Sequence, residues 1–113
     1  MNPEIRNAQI KSTQLGYIEG HFTCWLDLKY GPALGQGFGG YCLTPRGEES
    51  YAAQFVQGVL RAAGVETWEQ LPGVYIRAKI VDGLIYAIGN IIEDVWFVPV
   101  GPGAPRIEDE TGQ

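Results

Sequence analysis

Asp82-Gly83 sits between two apolar runs, Val74 to Val81 and Leu84 to Gly89, and no other feature restricts the fold of this chain so strongly. Asp-Gly readily takes the left-handed backbone of a two-residue hairpin turn, whose twist matches that of the strands it joins. A two-residue loop sets the register by counting. Ile80 then faces Ile85, Ala78 faces Ala87 and Ile76 faces Gly89. That side is small and apolar, and it belongs to the core. The other side places Lys79 opposite Tyr86, Arg77 opposite Ile88 and Tyr75 opposite Asn90.

The remaining segments add strands and one helix. Residues His21 to Tyr30 alternate, with Phe22, Cys24, Leu26, Leu28 and Tyr30 on one side and His21, Thr23, Trp25, Asp27 and Lys29 on the other. Period two marks a half-buried strand. Ala8 to Ile18, with Ile10, Leu15 and Ile18 apolar, reads as a strand that ends at a turn at Glu19-Gly20. After Gly31-Pro32, the segment Leu34 to Leu43 is strand-like but rich in glycine, which marks a bulge or a close approach of backbone or ligand. Thr44 to Glu49 reads as a loop. Ser50 caps a helix from about Tyr51 to Ala63, whose apolar positions Ala52, Phe55, Val56, Val59, Leu60 and Ala63 recur at helical spacing. Gly64 ends it. Thr67 to Gln70 has capping-box form and starts a short helical turn. Ile91 to Val98 reads as a last strand interrupted at Asp94. The expected fold is therefore α+β: an antiparallel β-sheet packed against one main helix (about 51–63), with a short helical turn near 67–71. Residues 1–100 form one ligand-binding domain, and 101–113 an acidic, Gly/Pro-rich flexible tail.

Charge and composition exclude several functions. The net charge of −5 argues against long nucleic acid as a partner. A few arginines in one pocket still suit a small anion. No apolar run reaches the ~20 residues of a membrane span, and the first residues lack the apolar stretch of a secretion signal. Cys24 and Cys42 lie outside any C-x-x-C pattern and read as reduced thiols. His21 is the one histidine, too little for a metal site or a nucleophile–base pair. Glu48-Glu49 and Glu93-Asp94 read as solvated charges. No cofactor is implied. The run Gly35 to Gly40 lacks the Gly-Lys-Ser/Thr ending of a phosphate loop, and no helix follows directly as a dinucleotide fingerprint requires. Its missing side chains instead let a flat base or ribose rest on the backbone around Phe38, Gly39 and Gly40.

The hairpin face offers the best candidate site. Tyr75 and Tyr86 supply rings for a base, Arg77 and Lys79 supply cations for phosphate, and Asn90 supplies an amide for a base edge. Trp96, Phe97 and Arg106 extend it. The alternative is an ordinary solvent-facing strand surface. Arg77→Ala and Asn90→Ala are expected to weaken nucleotide binding and keep the fold.

Several blocks together carry a resemblance. They are Glu4-Ile5-Arg6-Asn7-Ala8, Leu15-Gly16-Tyr17, Gln36-Gly37-Phe38-Gly39-Gly40-Tyr41, the run from Gly64 to Gly73, Ala87-Ile88-Gly89-Asn90 and Trp96-Phe97. Over about residues 4–98 the chain resembles small phage proteins of the Thoeris anti-defence type-one sponge family. The resemblance implies a non-catalytic protein in the cytoplasm of an infected bacterial host. It would capture cyclic ADP-ribose isomers made by TIR-domain enzymes, and in some members cyclic di- or trinucleotides at separate sites. It further implies a homo-oligomer, a dimer or hexamer, with pockets at subunit contacts. Asn90, an aromatic of the 75–86 hairpin and Arg106 are the positions it points to. Two other functions fit the same residues: an enzyme that degrades such a signal, and a protein-binding inhibitor of a defence complex.

Overall fold

The first hairpin joins β1 (Glu4–Ile18) to β2 (His21–Lys29) through Glu19 and Gly20, both with positive φ, at 52° and 84°. In the computed structural model, which describes residues 3–39 and 51–99, there follow β3 (Gly35–Gly39), the helix α1 (Tyr51–Ala63), a single 3-10 turn (Trp68–Gln70), β4 (Tyr75–Val81), β5 (Leu84–Asn90) and β6 (Trp96–Phe97). The strands form one six-stranded sheet in the order β3-β2-β1-β4-β5-β6, and every neighbouring pair is antiparallel. The α+β architecture expected from the sequence is the one observed. Residues 40–43 of the glycine-rich segment, the 44–49 loop, Ser50 and the 101–113 tail lie outside the described residues, as do Cys42, Gly40 and Arg106.

Alternation sets which side of each strand is buried. Cys24, Leu26 and Leu28 of β2 are buried, and Trp25, Asp27 and Lys29 are exposed. Ile76, Ala78 and Ile80 of β4 join the same core. On α1, Phe55, Val59 and Ala62 are buried at helical spacing, which supplies the apolar stripe a sheet face requires. At its end the Leu60 carbonyl accepts the amides of Gly64 and Val65, at 2.9 and 3.2 Å. The Gln70 side-chain oxygen accepts the amides of Glu66 and Thr67, at 3.0 and 2.9 Å, and so ties down the start of the 3-10 turn.

The sheet curls until its two ends touch. Gln36 of β3 donates to the Gly83 carbonyl at 2.8 Å and accepts from the Ile85 amide at 2.9 Å. Phe38 of β3 meets Phe97 of β6 edge-on, with ring centroids 6.4 Å apart, and both rings contact Phe55 of α1. The sheet thereby wraps the helix and closes a core that neither edge strand could cover alone.

Two sequence expectations need correction. The 82–83 turn forms as expected, with φ of 53° at Asp82 and 80° at Gly83, and Ile80 does face Ile85. Beyond that pair the register slips by one: Lys79 faces Ala87, Ala78 faces Ile88, Arg77 faces Gly89 and Ile76 faces Asn90. Tyr86 is the extra residue of a β-bulge. Simple counting would turn Ile88 out toward Arg77 and Gly89 inward. The bulge returns Ile88 to the core at 0% exposure, a gain of about 2 kcal/mol that the counted register would forgo. The second correction is to Ile91–Val98, where only Trp96–Phe97 is strand. Asn90 folds the preceding residues into a turn: its side-chain oxygen accepts the amides of Ile92 and Glu93, at 3.0 and 2.9 Å. No helix among the described residues is long and apolar enough to cross a membrane.

Candidate functional site

The bulge decides what the outer face of the second hairpin carries. By placing Gly89 on that face, opposite Arg77 and next to Trp96 of β6, it opens room for an indole to lie against the backbone. A Cβ on Gly89 would stand 2.5 Å from the Trp96 ring, so no larger residue fits beneath it. Two cations border the same ring. The Arg77 guanidinium carbon is 4.8 Å and the Lys79 Nζ 4.4 Å from its centroid, within the range of cation–π attraction. The indole N–H donates to Asp94 Oδ1 at 2.8 Å.

Arg77 is held further by two backbone carbonyls. Its Nε donates to Asn90 O at 2.7 Å and an Nη to Glu93 O at 2.8 Å. A guanidinium has five N–H donors, so three remain for a ligand. The Lys79 ammonium has no carboxylate within salt-bridge distance among the described residues. Tyr75 stands two residues before Arg77 on the same side of β4 and is 57% exposed. Asn7 and Gln9 of β1 pair with Arg77 and Tyr75 and widen the polar face.

The structure thus brings together Tyr75, Arg77, Lys79 and Trp96. It places the other expected site residues elsewhere. Tyr86 is 1% exposed and is not part of an open surface. Asn90 pairs with Ile76 on the helix side of the sheet and donates to Ala62 O at 3.2 Å. Phe38 lies in the core against Phe55. Gly39 has φ of 107° and packs on the Cys24 carbonyl and the Phe55 ring, so its open side is taken by protein. Sequence reasoning missed the pairing of Gly89 with Trp96. The signal was present: a glycine inside a strand marks close approach, and an indole lies seven residues on.

Asn90 therefore works as a structural clip. Its amide joins α1 to the 91–95 turn with three hydrogen bonds. Asn90→Ala is expected to destabilise the fold by about 2 kcal/mol, because two backbone amides lose their acceptor. Thermal unfolding measures the loss, and faster hydrogen exchange at Ile92 and Glu93 locates it. Arg77→Ala also frees the turn, so neither substitution reports ligand contact alone.

Cys24 is buried, and desolvation pushes its thiol up to about 12 from an ordinary value near 9. The neutral thiol is a poor nucleophile. Alkylation with iodoacetamide at pH 8 should spare Cys24 in the native protein and modify it in urea, as read by peptide mapping. The sign with pH follows from the raised value. The stability is fully present below about pH 9, where the unfolded thiol is still neutral, and is lost as pH rises toward 12. Among the described residues no three His, Cys, Asp or Glu side chains gather to hold a metal. Comparison with family models, curated proteins and solved structures finds no match to this chain.

Proposed function

We propose that the protein binds a phosphorylated ring compound on the face formed by Tyr75, Arg77, Lys79 and Trp96, and holds it unaltered. The observation that carries the reading is the pair of cations on one indole, at 4.8 and 4.4 Å. Trp96 already has Gly89 beneath it and two cations beside it. It acts as a platform that positions charge, and the more exposed Tyr75 is the ring left for stacking a base. Arg77 and Lys79 take the phosphates.

The ligand class is a cyclic ADP-ribose isomer, with cyclic di- or trinucleotides as further candidates, and the biological role is a phage sponge that blocks a bacterial defence signal inside the infected cell. The sequence blocks that resemble the Thoeris anti-defence family support this choice. A face on a single chain cannot bury most of a dinucleotide-sized ligand, as tight small-molecule sites do. A second copy of the chain supplies the other wall, so the binding species is a homo-oligomer.

Incubation with a cyclic ADP-ribose isomer, heat denaturation and chromatography test the non-catalytic part. The released ligand should co-elute with the starting compound. A new product peak would assign an enzyme instead, and co-purification of a host protein without any nucleotide response would favour a protein-binding inhibitor.

A further inference from the structure

A groove of about 380 Å³ lies on the outer face of the sheet's other half, lined by Ser12, Thr13, Gln14, Trp25, Leu26, Asp27 and Gly37. Its shape follows from two backbone features. β1 has a register shift between Ile10 and Ser12, which bends the strand. β3 contributes Gly37, with no side chain to fill the space. The benzo edge of Trp25 occupies part of that gap, since a Cβ on Gly37 would come within 2.6 Å of it. The indole is seated on its neighbour strand yet remains 41% exposed.

The polar groups around this ring form a regular pattern. Ser12 pairs with Asp27 and Gln14 with Trp25 across β1 and β2. Opposed side chains stand about 5 Å apart, and alternate residues along a strand about 7 Å apart. The four therefore frame one saccharide-sized ring. The Ser12 hydroxyl, the Gln14 amide, the Asp27 carboxylate and the Trp25 N–H make no hydrogen bond within the described protein. Both donors and acceptors are thus on offer to vicinal hydroxyls. No cation lines the groove among the described residues, and Asp27 repels anions. That chemistry differs from the Arg77–Lys79 face, which is built for phosphate.

We propose that this groove is a second binding site, for a neutral hydroxyl-bearing ring stacked on Trp25. Its hydroxyls bridge Asp27, Gln14 and Ser12. A free pyranose and the ribose of an uncharged nucleoside share this chemistry.

The test is an NMR titration of the full chain that follows the Trp25 indole N–H, assigned by its loss in Trp25→Phe. The probes are methyl pyranosides, adenosine and inorganic phosphate. A saturable Trp25 shift with a pyranoside, with adenosine or with both supports the site and says which source it takes. Phosphate should leave Trp25 unmoved. Asp27→Ala should abolish the shift, Gly37→Ala should weaken it by displacing the ring, and Trp96→Ala should leave it intact. The proposal is overturned if no neutral ring shifts Trp25 saturably, or if the shift survives Asp27→Ala and disappears in Trp96→Ala. Because the readout is the Trp25 signal and Trp96→Ala removes only the ring of the phosphate face, failure here is distinguishable from failure of the nucleotide reading.

Discussion

Alanine at position 39 is expected to destabilise the protein by about 3 kcal/mol or more, although it adds one methyl group. Two effects combine. Gly39 has φ of 107°, a backbone region that L side chains rarely adopt, and its added Cβ would approach the Cys24 carbonyl oxygen to 2.3 Å and the Phe55 ring to 3.2 Å. Backbone strain of this kind costs about 1–3 kcal/mol, and overpacking a core a similar amount. The contact with Cys24 is to backbone, so no flexible side chain can give way. The strand it would push is β2, which pairs with both β1 and β3. A domain of this size has a total stability of only about 5–15 kcal/mol. The melting temperature should fall by roughly 10–20 °C. A melting temperature equal to the wild type would mean that β3 does not lie on β2 as described.

Lys79→Glu should have the largest effect on binding, with little effect on folding. The ammonium stands 4.4 Å from the Trp96 centroid and has no carboxylate partner among the described residues. Its removal breaks no hydrogen bond inside the fold. For a ligand phosphate, loss of a charge-assisted bond removes about 1.5–3 kcal/mol. A carboxylate in its place adds repulsion of up to ~4 kcal/mol at 4 Å and an effective dielectric of 20. Solvent screening reduces that term at a half-exposed position. The net expectation is a loss of at least ~100-fold in affinity, with the melting temperature within a degree or two of wild type. The wild-type affinity should also fall as salt is raised. Unchanged affinity in Lys79→Glu would remove the phosphate from this face.

Most of the fold could be read from local pattern, and the register error of the second hairpin came from one residue. Alternation identified β2 and its buried Cys24, Leu26 and Leu28 because exposure repeats every second residue. Helical spacing identified Tyr51–Ala63, and Asp82-Gly83 identified the second hairpin. The bulge at Tyr86 was not legible, because it is favoured by a non-local gain: Ile88 reaches the helix side only if one residue is inserted. That slip then moved Asn90 from the expected ligand face to the helix side and brought Gly89 out beneath Trp96. Of the candidate site, Tyr75, Arg77, Lys79 and Trp96 do share a surface. Tyr86, Phe38 and Gly39 are packed inside, since residue type alone does not tell which polar or aromatic group the core consumes. Gly37 was legible as a point of close approach, but not which indole it would receive; Gly89 was not read that way, because the counted register put it on the core side opposite Ile76.

Calorimetric titration of the intact protein with cyclic ADP-ribose isomers, beside the Lys79→Glu variant, probes the central idea most directly: a platform of indole and paired cations gripping a phosphorylated ring. Saturable heat in the wild type, lost in the variant while its melting curve is kept, is the predicted result. Equal heats from both proteins, or none from the wild type with any isomer, would contradict it.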